Sequence, residues 1–262
     1  MTSTVFETTV GPVSAVRTGE GHDIVMLHSL LTDKHVYDRI AARLEQRWRI
    51  TSVDLPGYGQ TVSAAPTIDA AADVVAAMLE SGGYDPATTA LLGNGFGAFV
   101  ALATAIHHGD RFNKLILAGC GATFPDEARP AFLVMSGKVA DGGMAAVVDQ
   151  ALGRIFSEDY AHQHPEMIEE RRGVLLATKP AAFMAACEAL STLDYVDAVG
   201  AVDNPTLLVV GSEDWPTPPD MGRQLCAAMP NCSYVELPGI AHAPQLQDPE
   251  AFLAAIVPFL ES

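Results

Sequence analysis

The 262-residue sequence predicts an α/β protein: a mostly parallel, eight-stranded sheet flanked by helices, with one helical insertion late in the chain. Three observations carry this. Short runs rich in Val, Ile and Leu alternate with alanine-rich stretches of helical length, as buried strands and crossover helices do. That rhythm breaks once, between Gly121 and about Val199, where amphipathic segments follow one another with no strand between them. A hydrophobic content of 49% suits one large core with a small appended unit rather than several domains.

The elements follow in order. VFETTV and VSAVRT make an antiparallel hairpin around Gly11-Pro12. IVMLH (24–28), WRITSVDL (48–55), TTALLG (88–93), KLILAG (114–119), PTLLVVG (205–211) and SYVEL (233–237) read as strands. Helices are expected over 36–46, 68–81, 96–107, 218–229 and 249–260. The insertion carries GGMAAVVDQALGRIF, EMIEERRGVLLAT and AAFMAACEALSTL, each with Met, Phe or Leu on one side. The sheet resumes after Asp203-Asn204-Pro205, so residues 1–121 and 200–262 form the core and 122–199 a helical cap.

A net charge of −17 and a pI near 4.6 oppose any surface built to neutralise phosphates or anionic lipid, so neither nucleic acid nor a membrane is an expected partner. MTSTVFETTV has neither the basic start nor the apolar run of an export signal. Cys120, Cys187, Cys226 and Cys232 fall into no metal-binding spacing, and free thiols in a cytoplasmic protein are expected, with no metal or cofactor. Oligomeric state is not legible.

In an open parallel sheet, ligands sit beyond the carboxyl ends of the strands. Four such ends stand out. Gly93-Asn94-Gly95-Phe96-Gly97 forms a sharp strand-to-helix turn whose small flanking residues let strand and helix approach closely. Ser212-Glu213-Asp214 and Pro238-Gly239-Ile240-Ala241-His242 follow the last two strands, and Ser29-Leu30-Leu31 follows IVMLH.

The order elbow, acid, histidine, with a cap inserted before the acid, resembles the α/β-hydrolase fold over essentially the whole chain. VMLHSLL, VDLPGYGQT, LLGNGFGAFVAL, LLVVGSEDWPTPP and LPGIAHAPQLQDPEAF carry the likeness. Within that fold the cap is similar to that of 3-oxoadipate enol-lactonases, and GNGFG to the elbow of carbon–carbon bond hydrolases that cleave ring-fission products. The resemblance implies a small, possibly anionic carbonyl substrate from aromatic breakdown. It also implies roles: His242 as base, Asp214 orienting it, and the N–H groups of Leu30 and Phe96 as the oxyanion hole. The departure is Gly95, which stands at the nucleophile position without a side chain.

Each candidate has a plainer rival. His242 competes with a surface role of the kind expected for His107, His108, His162 and His164, and Asp214 with helix capping, Glu213 being its neighbour. Asp54 reads as a structural turn residue. His28 and Ser29 shape the oxyanion loop; Ser29 stands where many relatives have glycine and does not read as a displaced nucleophile. Cys120 faces the site as a thiol or packs as a small apolar residue. Asn94 binds substrate or caps the elbow helix. Arg129, Arg171 or Arg172 clamps a substrate carboxylate or belongs to a solvated helix face. Met144, Phe156, Leu175, Phe183 and Met184 roof a pocket or pack cap helices together.

Three functions stay open: an ester or lactone hydrolase in which Gly95 is an inactivating change or leaves room for a water, a lyase or decarboxylating enzyme using only the His242–Asp214 pair, and a binding protein. If the chain is a disabled hydrolase, Gly95→Ser raises turnover by orders of magnitude; if it works without residue 95, the change adds little or blocks the site.

Overall fold

The computed structural model of the protein describes residues 1–61 and 64–262. Its strands are β1 (Thr2–Thr8), β2 (Gly11–Thr18), β3 (His22–Leu27), β4 (Trp48–Val53), β5 (Ala90–Asn94), β6 (Lys114–Ala118), β7 (Thr206–Gly211) and β8 (Cys232–Leu237). They form one sheet in the order β1-β2-β4-β3-β5-β6-β7-β8, with β3 to β8 parallel and β1 and β2 antiparallel to their neighbours. The central strands are apolar runs because helices cover both sides; every residue of β5 and β7 is buried. The opening hairpin turns at Thr9-Val10, one step before the position expected from Gly11-Pro12, since Gly11 already pairs with Thr8.

The helices outside the insertion are α1 (Asp38–Leu44), α2 (Ile68–Ser81) and α3 (Phe96–His108). The insertion between β6 and β7 holds α4 (Arg129–Gly142), α5 (Val148–Ile155), α6 (Glu158–Gln163), α7 (Pro165–Ala177) and α8 (Pro180–Ser191). Then come α9 (Pro219–Ala228), α10 (Pro244–Gln247) and α11 (Pro249–Glu261). Helices α2 and α3 pack together beside β1 and the central strands, while α1 and α11 meet against β4 and β7–β8. The helix expected over 36–46 is shorter, because Lys34–Tyr37 winds as a 3₁₀ turn before α1.

The insertion has a closed neck. Thr123 pairs with Asp194, the Tyr195 N–H donates to Ala122 O (2.9 Å), and the Thr123 hydroxyl donates to Leu193 O (3.0 Å). Helix α5 reaches the histidine loop through the Ala243 N–H, which donates to Ile155 O (3.2 Å). No single described helix is long and apolar enough to cross a membrane; α7 and α8 meet at a 94° bend.

One expectation is corrected. Cys226 and Cys232 are joined as a disulfide, and only Cys120 and Cys187 are free. The turn from α9 into β8 brings the two Cα atoms to 5.3 Å, within bridging range, across a spacing that is neither a metal motif nor a redox CxxC.

Candidate active site

The chain reverses its direction of travel across the sheet at β3, with β4 on one side and β5 on the other. A crevice at such a reversal is where open sheets bind ligands. At this reversal stand the loops His28-Ser29-Leu30 after β3 and Gly95-Phe96 after β5, all of them buried. Gly95 has φ +52° and ψ −120°, outside the basins that side-chain-bearing residues prefer, so glycine relieves the turn of strain. Its carbonyl accepts from the N–H groups of Ala98 (2.8 Å) and Phe99 (3.1 Å), starting α3.

The ends of β7 and β8 bring in the other two groups. His242 Nδ1 lies 3.0 and 3.1 Å from the two Asp214 oxygens. Those oxygens also accept from the Thr217 N–H (2.9 Å) and the Thr217 hydroxyl (2.8 Å). Only 8% of the His242 side chain and 1% of the Asp214 side chain is exposed. With Nδ1–H given to the carboxylate, Nε2 keeps its lone pair, and the ring is held in a base-competent orientation. Gly119, at φ +63°, permits this closeness: a Cβ there would stand 2.8 Å from Asp214 Oδ2 and 3.1 Å from His242 Cε1.

The histidine loop is also fixed through its backbone. Asn94 Nδ2 donates to His242 O (2.9 Å) and to Ala118 O (3.2 Å), and Asn94 Oδ1 accepts from Gln245 Nε2 (2.9 Å). Both ends of this amide are therefore occupied in joining β5, β6 and the histidine loop, and no side-chain hydrogen bond caps α3. Opposite, His28 Nδ1 donates to Ser29 O (2.8 Å) and Nε2 accepts the Leu55 N–H (3.1 Å), with burial holding its pKa below the usual value.

The Nε2 face of His242 looks at Gly95. A Cβ built on Gly95 would lie 2.6 Å from His242 Nε2 and 2.6 Å from Ser29 Oγ, closer than real Cβ contacts come. Ser29 is 2% exposed, and its hydroxyl has no hydrogen-bond partner among the described residues. The N–H groups of Leu30 and Phe96 likewise have no backbone acceptor among them.

The profile of the Alpha/beta hydrolase family matches residues 24–255. The chain belongs to the alpha/beta hydrolase family. Among its relatives, a pimeloyl-acyl-carrier-protein methyl ester esterase of Neisseria meningitidis is 32% identical over 258 residues, covering 91% of this chain and 76% of the relative. One from Chromobacterium violaceum is 29% identical, covering 93% and 96%. A thermophilic esterase from Thermogutta terrifontis, solved with malate bound, superposes with a TM-score of 0.89 at 26% identity over 100% and 98% of the two chains. The enol-lactonase of Burkholderia xenovorans shares the fold with a TM-score of 0.89 at 24% identity over 99% and 100%. The likeness read from the five motifs thus holds at the level of family and fold.

The remaining candidates of this hydrolase are placed as follows. Cys120 is fully buried, and burial pushes its thiol pKa far up, so it packs as an uncharged side chain. Arg129 donates to Phe124 O (3.1 Å) and Thr123 Oγ1 (2.7 Å) at the neck of the insertion. Arg172 pairs with Asp149 (2.7 Å) and Glu169 (3.3 Å), and Arg171 with Glu170 (2.5 Å). Met144 and Phe183 are buried with Phe156 and Leu175 in the core, and Met184 packs against it half-buried. Asp54 accepts from Lys34 Nζ (2.6 Å) and the Ser14 hydroxyl, away from His242. Glu213 is exposed. Among the described residues no three His, Cys, Asp or Glu side chains converge as metal donors.

Two clefts lie outside this site, and neither is lined by His242, Ser29 or Gly95. One of about 470 Å³, lined by His22, Trp48, Ala90 and Lys114, sits at the amino ends of the strands, the wrong end for ligands of such a sheet. The other, about 620 Å³, runs between α4 and the Asp214 loop and is lined by Phe124, Phe132, Arg154, Trp215 and Met221. Sequence reasoning missed Thr217, Gln245 and Arg154. Only Thr217 carried a local signal, lying three residues beyond the candidate acid.

Proposed function

We propose that the chain hydrolyses a small ester or lactone, an enol-lactone among the candidates, with an acyl half that carries a carboxylate. The observation that carries this reading is the shielded His242–Asp214 pair aimed at the crevice between two loops whose Leu30 and Phe96 N–H groups have no backbone acceptor among the described residues. His242 Nε2 takes the proton of the attacking oxygen, and Asp214 stabilises the imidazolium that forms. The N–H groups of Leu30 and Phe96 receive the charge that develops on the carbonyl oxygen. Burial strengthens those interactions, because water would otherwise compete for the same donors. The similar esterases, named for a methyl ester, support ester rather than carbon–carbon bond cleavage.

Arg154 supports the anionic half of the substrate. It stacks over Trp215 with its guanidinium carbon 5.1 Å from the ring, gives Nη1–H to Met135 Sδ, and has no carboxylate partner among the described residues. A cation so placed, in a largely apolar cleft beside the Asp214 loop, suits a substrate carboxylate.

The test is turnover of 4-nitrophenyl esters, methyl esters and enol-lactones, each with and without a distal carboxylate, by the native chain, His242→Ala and Arg154→Gln. Loss of turnover in His242→Ala, together with a KM rise confined to the carboxylate-bearing substrates in Arg154→Gln, is the expected outcome. Turnover indifferent to His242 would refute the reading.

A further inference from the structure

We propose that Ser29, on the loop after β3, is the nucleophile of this hydrolase, so that the attacking oxygen comes from the wall of the crevice opposite Gly95. The proposal rests on the hydrolase reading above and names the atom that reading leaves unassigned.

Three observations meet at Ser29. Its hydroxyl is buried and has no hydrogen-bond partner among the described residues, an exception to the pairing of buried polar groups. It shares one small space with the base: Ser29 Oγ and His242 Nε2 each lie 2.6 Å from the point where a Cβ on residue 95 would stand, so they are separated by no more than twice that distance. The backbone that carries it is held in place, because the Ser29 N–H donates to Thr32 Oγ1 (3.0 Å) and the Ser29 carbonyl accepts from the Thr32 N–H (3.1 Å), the Thr32 hydroxyl (3.1 Å) and His28 Nδ1 (2.8 Å). Glycine at 95 leaves Ser29 Oγ its present position, since a Cβ at 95 would lie 2.6 Å from it and make it turn away. The oxyanion donors exchange roles without moving: Leu30 becomes the residue after the nucleophile, and Phe96 supplies the N–H from the facing loop.

The chemistry balances with water as the only co-reactant. Ser29 Oγ bonds to the carbonyl carbon as its proton passes to His242 Nε2, and the π pair moves onto the oxygen facing Leu30 and Phe96. Collapse expels the alcohol oxygen, which takes the proton from His242. A water then gives its proton to His242 and attacks the acyl carbon, releasing the acid and returning the proton to Ser29.

The experiment labels the whole chain with a fluorophosphonate, locates the adduct by peptide mass, and measures ester and lactone turnover and thermal unfolding for Ser29→Ala, Ser29→Gly and His242→Ala. The expected result is one adduct on Ser29, absent from all three variants, with turnover reduced at least 10³-fold in both Ser29 variants and unfolding temperatures close to native. Turnover within tenfold of native in folded Ser29→Ala, with His242→Ala inactive, would overturn the nucleophile while leaving the hydrolase reading in place. A chain that turns over none of the substrates yet labels at Ser29 would overturn the hydrolase reading and keep the nucleophile; no adduct at Ser29 overturns the proposal in either case.

Discussion

Replacing Gly95 by serine puts a Cβ into the space that Ser29 Oγ and His242 Nε2 share, on a backbone at φ +52°. The backbone strain alone is about 1–3 kcal/mol. With an unfolding entropy of about 2.1 cal/mol/K per residue over the chain, that range corresponds to a drop in unfolding temperature of roughly 2–5 °C. Displacing Ser29 adds to it, whereas Ser29→Gly removes both the Oγ at 2.6 Å and the Cβ at 3.2 Å. The double variant should therefore lose less than the two single variants together, by a coupling of about 0.5–3 kcal/mol, the range for residues in contact. The assay is urea unfolding of the native chain, Gly95→Ser, Ser29→Gly and the double variant. In the same proteins, Gly95→Ser alone should not raise ester turnover, because it crowds Ser29 and His242, while the double variant carries its serine at the elbow with room to act. Additivity within about 0.3 kcal/mol would refute the idea that the two positions compete for one volume.

Three further outcomes are expected. Asn94→Ala strands the His242 carbonyl and the Gln245 amide, and should cost roughly 2–4 kcal/mol in denaturant unfolding. Burial lowers the pKa of His28, so the stability it contributes is present above its ordinary value of about 6.5 and is lost as pH falls below it, by at most about 1.4 kcal/mol per pH unit; denaturant unfolding between pH 7.5 and 5 should show this slope, and His28→Gln should flatten it. Cys226→Ala, which opens a loop between residues six apart, should cost about 2 kcal/mol relative to the oxidised native chain, a difference that disappears when both are measured in reductant.

The sheet was legible because its parallel strands are buried on both sides and so stand out as apolar runs with turn residues at their ends. The strand-end rule picks out the loops of His242 and Asp214, while their pairing follows from the resemblance to the α/β-hydrolase order. Helix α4 was not anticipated: RPAFLVMSGKVADG leaves Leu133 and Val134 exposed and buries only Met135, Ser136 and Val139, so no apolar stripe announces it. Asn94 and Ser29 were underread for a different reason. Their partners lie 148 and 66 positions away, at His242 and Gly95, and an unpartnered hydroxyl is a property of packing that no local pattern encodes. Arg154 likewise stands apart from the other insertion arginines by lacking a carboxylate neighbour among the described residues, which becomes visible once α5 is set against the Asp214 loop.

The bond from Asn94 to the carbonyl of His242 separates two demands that usually coincide at a catalytic position. The fold grips residue 242 by its main chain, whereas the proposed chemistry uses only its ring. Truncating the ring to a methyl group should leave the loop seated, with an imidazole-shaped void bordered by Asp214, Gly119 and Ser29. Free imidazole added to such a protein would find a carboxylate ready to orient it, which makes this alpha/beta hydrolase a natural host for chemical rescue.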